Sequence, residues 1–280
     1  MAFVAIIGAG EVGGALAHAL ASRDRIGEIR LIDRAASVAA GKALDLQQSG
    51  PVEGFRTRLV ASADPRDAVG ATATVIADPA GGSPLSPEDS LALLKQLAHL
   101  DSETTFVCAL PSHRSLVERG AREVRIPRAR LIGSAPAAYS SAVRALVGAS
   151  IDISPSEVSL SVLGTPPEHT IVPWSEASIG GFRLEEVMTP AVLAATRRRL
   201  GGLWPPGPYA LASATARIVE ALGESSRRQF SCFVMLDGEL GVRGRAAAMP
   251  VELGPGGVRR IVIPSLSVQE RVALENALQR

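Results

Sequence analysis

The sequence predicts an α/β protein that begins with a doubly wound parallel sheet and continues into an α+β part with antiparallel strands. Short β-branched runs alternate with helical patterns through the first half, and a glycine-rich turn follows the first of these runs. The second half holds strand patterns joined by a DG turn. Alternating strands and helices favour parallel pairing with crossover helices, whereas a tight turn favours antiparallel pairing.

Six short apolar runs predict the strands of the first half. They are FVAIIG at 3–8, IRLID at 29–33, TRLVA at 57–61, ATVIA at 73–77, TTFVCAL at 104–110 and ARLIG at 129–133. Helical patterns such as EVGGALAHALAS and PEDSLALLKQLAHL lie between most of them. This repetition predicts one parallel sheet with helices on its faces.

The second half reads as antiparallel strands flanked by helices. Strands are predicted at SEVSLSVLG, RQFSCFVMLDGELGVRG, AAMPVELG and VRRIVIP, and helices at PYALASATARIVEALGE and SVQERVALENALQ. Ser267 and Glu270 have the spacing of a capping box at the start of the last helix. The change of pattern predicts two domains, residues 1–135 and residues 136–280.

The composition excludes several function classes. The 280 residues carry a net charge of +1, so we expect neither a nucleic-acid partner nor an anionic membrane surface, both of which need concentrated basic charge. No apolar run approaches the roughly 18 residues that span a bilayer, and the apolar start lacks the basic leader of a signal peptide. Cys108 and Cys232 lie inside apolar runs, which fits a reducing, cytoplasmic location.

A glycine motif follows the first predicted strand. FVAIIG runs into GAGEVGG, which puts Gly8, Gly10 and Gly13 in GxGxxG register with Glu11 and Val12 between the last two. Such a motif allows a tight turn, a close backbone approach to a diphosphate, and a helix N-terminus that faces the phosphates. These five positions are therefore predicted to contact a dinucleotide.

An acidic residue completes the motif. Asp33 ends the next predicted strand, at the distance of about 20 residues where a carboxylate accepts hydrogen bonds from the adenosine ribose. The carboxylate would repel a 2′-phosphate, so NAD is favoured, while Arg34 beside it keeps NADP open. The motif predicts a Rossmann domain with NAD as cofactor.

Three segments together resemble the malate and lactate dehydrogenases. They are GAGEVGGALAHALA, LIDRAASVAAGKALDLQQS and VMLDGELGVRGRAAAMPVELGPGGVRRIVIPSLSVQERVALENA. The resemblance covers nearly the whole chain in order. It implies a dinucleotide-binding Rossmann domain at 1–135, a malate/lactate dehydrogenase-like α+β domain at 136–280, NAD, and a small-molecule 2-hydroxy or 2-keto acid substrate. The helix around GKALDLQQS is similar to the family's subunit contact, which implies a homodimer or homotetramer.

The catalytic positions that the resemblance assigns hold other residues. Reduction of a 2-keto acid needs a histidine to protonate the carbonyl, a carboxylate to orient that histidine, and arginines to grip the substrate carboxylate and polarise the carbonyl. The loop PAGGSPLSPED at 79–89 resembles the arginine loop but has Gly81 and Pro87 about where arginines are expected. AYSSAV at 138–143 puts Tyr139 at the aspartate and Ala142 at the gripping arginine, and GTPPEHT puts Pro166 at the histidine.

Two histidines could still supply part of this chemistry. His169, with Glu168 beside it, lies five positions after Gly164, whereas the family's histidine lies two positions after the corresponding glycine. His169 is thus either a relocated base or a surface loop residue, and the loop residue is the favoured interpretation. His113 follows the strand end ALPSH and is a second, weaker candidate for a base; the alternative is that it is a residue at the start of a helix. Arg144 follows Ala142 by two positions, which on a helix turns its side chain away by roughly 200°.

Two cofactor positions also differ from the family. Ala109 stands where the family has an asparagine that holds the nicotinamide ribose, and ADPA replaces a small TAG stretch. Asp78 would therefore bring negative charge near the diphosphate, and NAD binding is expected to be weakened. Two functions remain open from the sequence: an NAD-dependent oxidoreductase of the malate/lactate type, and a non-catalytic relative that keeps the fold and the oligomer, with or without the nucleotide. Chemistry on a different, uncharged substrate is an intermediate possibility.

Overall fold

The computed structural model describes residues 3–82, 85–224 and 227–279. Its strands follow the predicted order. They are β1 (Phe3–Ile7), β2 (Glu28–Ile32), β3 (Arg58–Ser62), β4 (Ala73–Ile76), β5 (Thr105–Cys108), β6 (Leu131–Gly133), β7 (Val158–Ser159), β8 (Leu163–Thr165), β9 (His169–Ile171), β10 (Ser178–Ile179), β11 (Phe182–Arg183), β12 (Gln229–Asp237), β13 (Arg243–Gly254) and β14 (Gly257–Ile261). All six strands predicted for the first half are confirmed.

The helices occupy the stretches between these strands. They are α1 (Glu11–Ala21), α2 (Ala36–Glu53), α3 (Pro87–Leu100), α4 (Arg114–Arg122), α5 (Ala135–Ile151), α6 (Leu184–Val187), α7 (Pro190–Arg199), α8 (Pro208–Gly223) and α9 (Val268–Gln279). No helix in the described part of the chain is long and apolar enough to cross a membrane.

The first six strands form a parallel sheet in the order β3-β2-β1-β4-β5-β6. Strands β1 and β4 are buried along their whole length, because helices cover both faces of a doubly wound sheet. The order reverses between β1 and β4, so the carboxyl ends of β1, β2 and β4 open onto one crevice. Ligands bind at such a crevice in open α/β sheets.

The antiparallel strands of the second half extend the same sheet. Strand β6 pairs with β12 where Gly133 lies opposite Phe233, and β13, β8 and β9 follow, with β14 on the other part of β13. A Cβ at Gly133 would stand 2.8 Å from the Phe233 Cβ, so a glycine allows this close junction. The sheet is continuous across residue 135, and the division into domains 1–135 and 136–280 remains a prediction.

A second, smaller core lies on the other side of α5. It contains the three-stranded sheet β11-β10-β7 and the buried side chains of helices α5 and α7. The stretch SEVSLSVLG, predicted as one strand, divides into β7 in this small sheet and β8 in the large one. The predicted strands at VRG and AAMPVELG are instead one strand, β13.

Helix α9 begins with the predicted capping box. The Ser267 hydroxyl accepts the N–H of Glu270 at 3.3 Å, and the Glu270 carboxylate accepts the N–H of Ser267 at 3.0 Å. The same carboxylate also accepts the N–H of Ser175 at 3.2 Å. Burial would raise the pKa of Glu270, but hydrogen bonds from Ser175 and Ser267 outweigh it and lower the pKa below its usual range. Through Ser175, the cap thus connects the C-terminal helix α9 to the segment that follows β9.

Candidate functional site

The glycine turn between β1 and α1 forms the floor of the crevice. Gly8 has φ +111°, and a Cβ there would stand 2.8 Å from the backbone carbon of Asp78. A Cβ at Gly13 would overlap the carbonyl of Gly8. The backbone at these positions is therefore packed closely enough to require glycine. Val12 is buried in the core behind the turn, while Glu11 is exposed at the first position of α1.

Asp33 stands at the end of β2 and is held by three backbone donors. Its Oδ2 accepts the N–H groups of Ala9 at 2.7 Å and Ala80 at 2.8 Å, and its Oδ1 accepts that of Ala35 at 2.8 Å. Burial alone would raise the pKa of Asp33, but these donors and the nearby Lys42 charge lower it below its ordinary value. The residue is therefore a fixed carboxylate, as a ribose contact requires.

A cavity of about 190 Å³ lies beside Asp33. Its walls include Ile32, Pro65, Leu93 and the exposed Arg34. The remaining wall is mostly apolar and includes the carboxylates of Asp33 and Asp89; a mostly apolar wall with the fixed carboxylate of Asp33 suits the flat ring and sugar of an adenosine. The structure brings together the residues predicted for this half of a dinucleotide.

The diphosphate half of the crevice holds a second carboxylate. Asp78 follows β4, and its Oδ2 accepts the N–H of Glu11 at 2.7 Å while its Oδ1 accepts the N–H of Gly13 at 3.0 Å. Its backbone carbonyl accepts the N–H of Gly10 at 2.9 Å. The residues beside Asp33 thus fit an adenosine. A diphosphate does not fit in the same way, because the N–H groups of Glu11 and Gly13 that would bind it already donate to Asp78.

Lys42 is a further residue of this crevice that the sequence did not single out. It projects from α2, and its Nζ donates to the carbonyl of Gly10 at 2.7 Å across 32 positions of sequence. No motif spacing links a lysine on the second helix to the first glycine turn. The only sequence signal is its rarity, because Lys42 and Lys95 are the two lysines of the chain.

The positions to which the resemblance assigns catalysis lie around α5 and the turn between β8 and β9; we call them the substrate region. Tyr139 is 1% exposed, and its hydroxyl donates to the carbonyl of Leu200 at 2.9 Å. The Tyr139 ring meets Trp204 edge-on at 5.5 Å, and Trp204 in turn meets Phe233 at 6.4 Å. Burial raises the pKa of Tyr139, against a lowering hydrogen bond with Thr170. Tyr139 is therefore a neutral core residue.

The other positions to which the resemblance assigns charged residues hold uncharged ones, and Arg144 lies away from them. Ala142 is half-buried on α5, and Pro166 is buried in the turn between β8 and β9. Arg144 points to the far side of its helix, where its guanidinium donates to the carbonyl of Pro155 at 3.1 and 3.2 Å. In the arginine loop, Gly81 is exposed and Pro87 begins α3, while positions 83 and 84 lie outside the described residues.

The two histidine candidates occupy different surroundings. His169 begins β9 opposite Thr165 and is half-buried, while Glu168 is exposed in the preceding turn. Within the described residues no hydrogen bond joins His169 to Glu168. His113 is buried after β5, where its Nδ1 accepts the N–H of Leu110 at 3.3 Å. Burial lowers the pKa of His113 to about 4, so this imidazole is neutral at pH 7 and has a structural partner.

The described residues contain no group of three or more His, Cys, Asp or Glu side chains arranged to hold an ion. Both cysteines are buried and free. Burial raises the pKa of Cys108 to about 12 and raises that of Cys232 as well. Neither thiol is therefore a nucleophile at neutral pH.

Comparison with known proteins agrees with this geometry. Residues 2–90 match the family model described as the NAD binding domain of lactate/malate dehydrogenase. The chain is 29% identical to a malate dehydrogenase of Desulforudis audaxviator, over 98% of this chain and 94% of that protein. It is also 29% identical to a malate dehydrogenase of Thermomicrobium roseum over the same shares.

Solved structures give the same fold. The malate dehydrogenase of Salinibacter ruber superposes with a TM-score of 0.89 at 23% identity, covering 98% of this chain and 93% of that one. A minor L-lactate dehydrogenase of Enterococcus mundtii superposes with a TM-score of 0.87 at 20% identity, covering 99% and 95%. The predicted Rossmann sheet followed by antiparallel strands is confirmed.

Proposed function

We propose that the chain is a member of the malate/lactate dehydrogenase family, whose NAD binding domain is matched by residues 2–90, and that it has little or no activity on 2-keto acids. The family itself consists of NAD-dependent oxidoreductases of small 2-hydroxy and 2-keto acids. The proposed working role is non-catalytic: a nucleotide-binding oligomer with the dehydrogenase fold. The family's own activity is the competing function.

The observation that carries this proposal is the burial of Tyr139. A dehydrogenase of this type needs a carboxylate at that point of the helix to orient its catalytic histidine. Tyr139 instead is sealed against Trp204 and donates to Leu200, and Pro166 occupies the histidine position. A general acid contributes about 10² to 10⁴ in rate and a preorganised charge donor about 10² to 10³. These factors do not add, but loss of all of them leaves little acceleration.

The substrate's own charge supports the same proposal. A 2-keto acid is an anion, and its carboxylate needs a partner once water leaves the site. Ala142 offers none at the position of the gripping arginine, and Arg144 is engaged with Pro155. Without that grip the carbonyl is not held near the nicotinamide, so the advantage of proximity is lost as well.

A turnover assay tests the proposal. We expect the purified protein with NADH to reduce neither oxaloacetate nor pyruvate at a measurable rate. Turnover at about 1 per second or faster, within the ordinary range of enzymes, would show that the protein is a dehydrogenase. If turnover appears and His169, partnered by Glu168, is its relocated base, His169→Ala should abolish it. His99→Ala, at an exposed histidine, is the matched control.

Self-association is the second part of the proposal. Helix α2 carries exposed apolar side chains, among them Leu44 at 59% and Val52 at 88% exposure, on the segment that resembles the family's subunit contact. Exposed apolar positions on one helix are typical of a protein–protein interface. We propose a homodimer or homotetramer with a small-molecule ligand, in the reducing cytoplasm where the two free buried thiols persist.

A further inference from the structure

The N-terminus of α1 already has an anion bound to it. In a dinucleotide-binding domain the first backbone N–H groups of this helix face the diphosphate. Here Glu11 and Gly13 donate theirs to the two carboxylate oxygens of Asp78, at 2.7 and 3.0 Å. The helix dipole and both donors therefore act on a carboxylate of the chain itself.

The Asp78 carboxylate also fills the space next to the glycine turn. A Cβ built on Gly10 would overlap its Oδ2, so the carboxylate lies against the backbone that glycine leaves open. The purpose of a glycine at this position is the close approach of a phosphate. The Asp78 carboxylate therefore occupies the space that Gly10 leaves open for a phosphate.

The adenosine half of the crevice is unaffected by this arrangement. The cavity of about 190 Å³ beside Asp33 includes neither Asp78 nor the N-terminal residues of α1 among its walls. Asp33 is held at the ribose position by its own three backbone donors. A ligand without phosphates can therefore enter this cavity while Asp78 stays bound.

We infer that Asp78 is a built-in competitor of the diphosphate, so that NAD binds only when its carboxylate is displaced from the N-terminus of α1, whereas adenosine binds unopposed. Asp78 thus determines which ligands the crevice accepts. Lys42 donates to the Gly10 carbonyl at the same turn and remains available to offset the ligand's negative charge. The inference concerns ligand binding and stands whether or not the protein reduces 2-keto acids.

The test compares ligands with and without a diphosphate on matched variants. NADH, ADP-ribose and adenosine are titrated by calorimetry into the wild-type protein, Asp78→Ala and Asp78→Asn. Asp78→Ala removes the charge and opens the space, while Asp78→Asn removes the charge and keeps the size. Asp45→Asn is the control, because Asp45 is an exposed acid on α2 without a hydrogen bond to the glycine turn in the described chain.

We expect Asp78→Ala to bind NADH and ADP-ribose roughly 10- to 100-fold more tightly than wild type, because the diphosphate no longer has to displace a carboxylate from its charge-assisted hydrogen bonds. Asp78→Asn should show a smaller gain in the same direction. Adenosine should bind all four proteins within about twofold, the scatter expected of an unaffected site, and Asp45→Asn should match wild type for every ligand.

Three results would overturn the inference. Equal NADH affinity in wild type and both Asp78 variants would show that the carboxylate does not compete. An equal gain for adenosine would show a general opening of the crevice. Absence of NADH binding in Asp78→Asn, with the circular dichroism of a folded protein, would show that another feature excludes the diphosphate; this variant decides the matter if Asp78→Ala does not fold.

Discussion

Acid should weaken this protein through one buried histidine. His113 lies just after β5, is 5% exposed, and accepts the N–H of Leu110 on Nδ1. Burial lowers its pKa from the ordinary 6.5 to about 4. As the pH falls below 6.5, the unfolded chain binds a proton that the folded protein binds only near pH 4. The stability contributed by neutral His113 is therefore complete above pH 6.5 and is lost between pH 6.5 and about pH 4.

The magnitude follows from the two pKa values. Each pH unit between them changes the free energy of unfolding by about 1.4 kcal/mol. The loss attributable to His113 thus amounts to about 3 kcal/mol at pH 4 and about 2 kcal/mol at pH 5. For a domain whose total stability is about 5 to 15 kcal/mol, this is a large part.

Urea denaturation at a series of pH values measures this loss. His113→Asn keeps an acceptor for the N–H of Leu110 but does not titrate. Between pH 7 and pH 5 the free energy of unfolding of wild type should therefore fall by about 2 kcal/mol more than that of His113→Asn. The exposed His99→Asn controls for the removal of an imidazole. Parallel curves for wild type and His113→Asn would refute the reasoning, because the acid sensitivity would then come from other groups.

Two further predictions concern the substrate region and the oligomer. Tyr139→Phe removes the hydroxyl that donates to Leu200 and should lower the free energy of unfolding by about 1 kcal/mol; an unchanged urea midpoint would mean that this hydrogen bond contributes nothing. Leu44→Asp puts a charge on the exposed face of α2 and should shift sedimentation equilibrium toward the 29.1 kDa monomer. Val69→Asp, at another exposed apolar position, should leave the oligomer intact, and a wild-type protein that is already monomeric would end the proposal.

Local signals made most of the parallel half predictable. Each strand from β1 to β6 is a short β-branched run between helical patterns, and GAGEVGG marks the turn before α1. The steric needs of Gly8 and Gly13 are local to the turn, so a motif captures them. The capping box of Ser267 and Glu270 was predictable for the same reason, because its two hydrogen bonds join residues one helical turn apart.

The antiparallel half depends more on partners distant in sequence. Pro250 is an unexpected residue inside β13, although it lies within the segment AAMPVELG that the sequence predicted as a strand. Its carbonyl accepts the N–H of Val262 at 2.8 Å, so its nitrogen faces the same side. On that side the pairing changes from β8 at Ala248 to β14 at Val251. The N–H that Pro250 lacks is therefore not needed where the partner strand changes. No local sequence pattern shows that the partner changes there.

In the crevice, too, one contact between residues distant in sequence could not be predicted. The sequence indicated that Asp78 brings negative charge near the diphosphate, but not that its carboxylate binds Glu11 and Gly13, 67 and 65 positions away. That arrangement depends on β4 lying beside β1 in the sheet. Likewise, the substitution of Tyr139 was visible in the sequence, whereas its packing against Trp204 and Phe233 depends on how α5 meets the large sheet.

The two aspartates of the crevice also make the fold less dependent on a ligand. Asp33 accepts three backbone N–H groups and Asp78 accepts two. The first N–H groups of a helix have no partner within the helix, and in a dinucleotide-binding turn the diphosphate accepts hydrogen bonds from such donors. Here Asp78 satisfies them from within the chain. The same two hydrogen bonds that stabilise the protein without a ligand are therefore the ones a diphosphate must replace, so stability and dinucleotide affinity oppose each other at this residue.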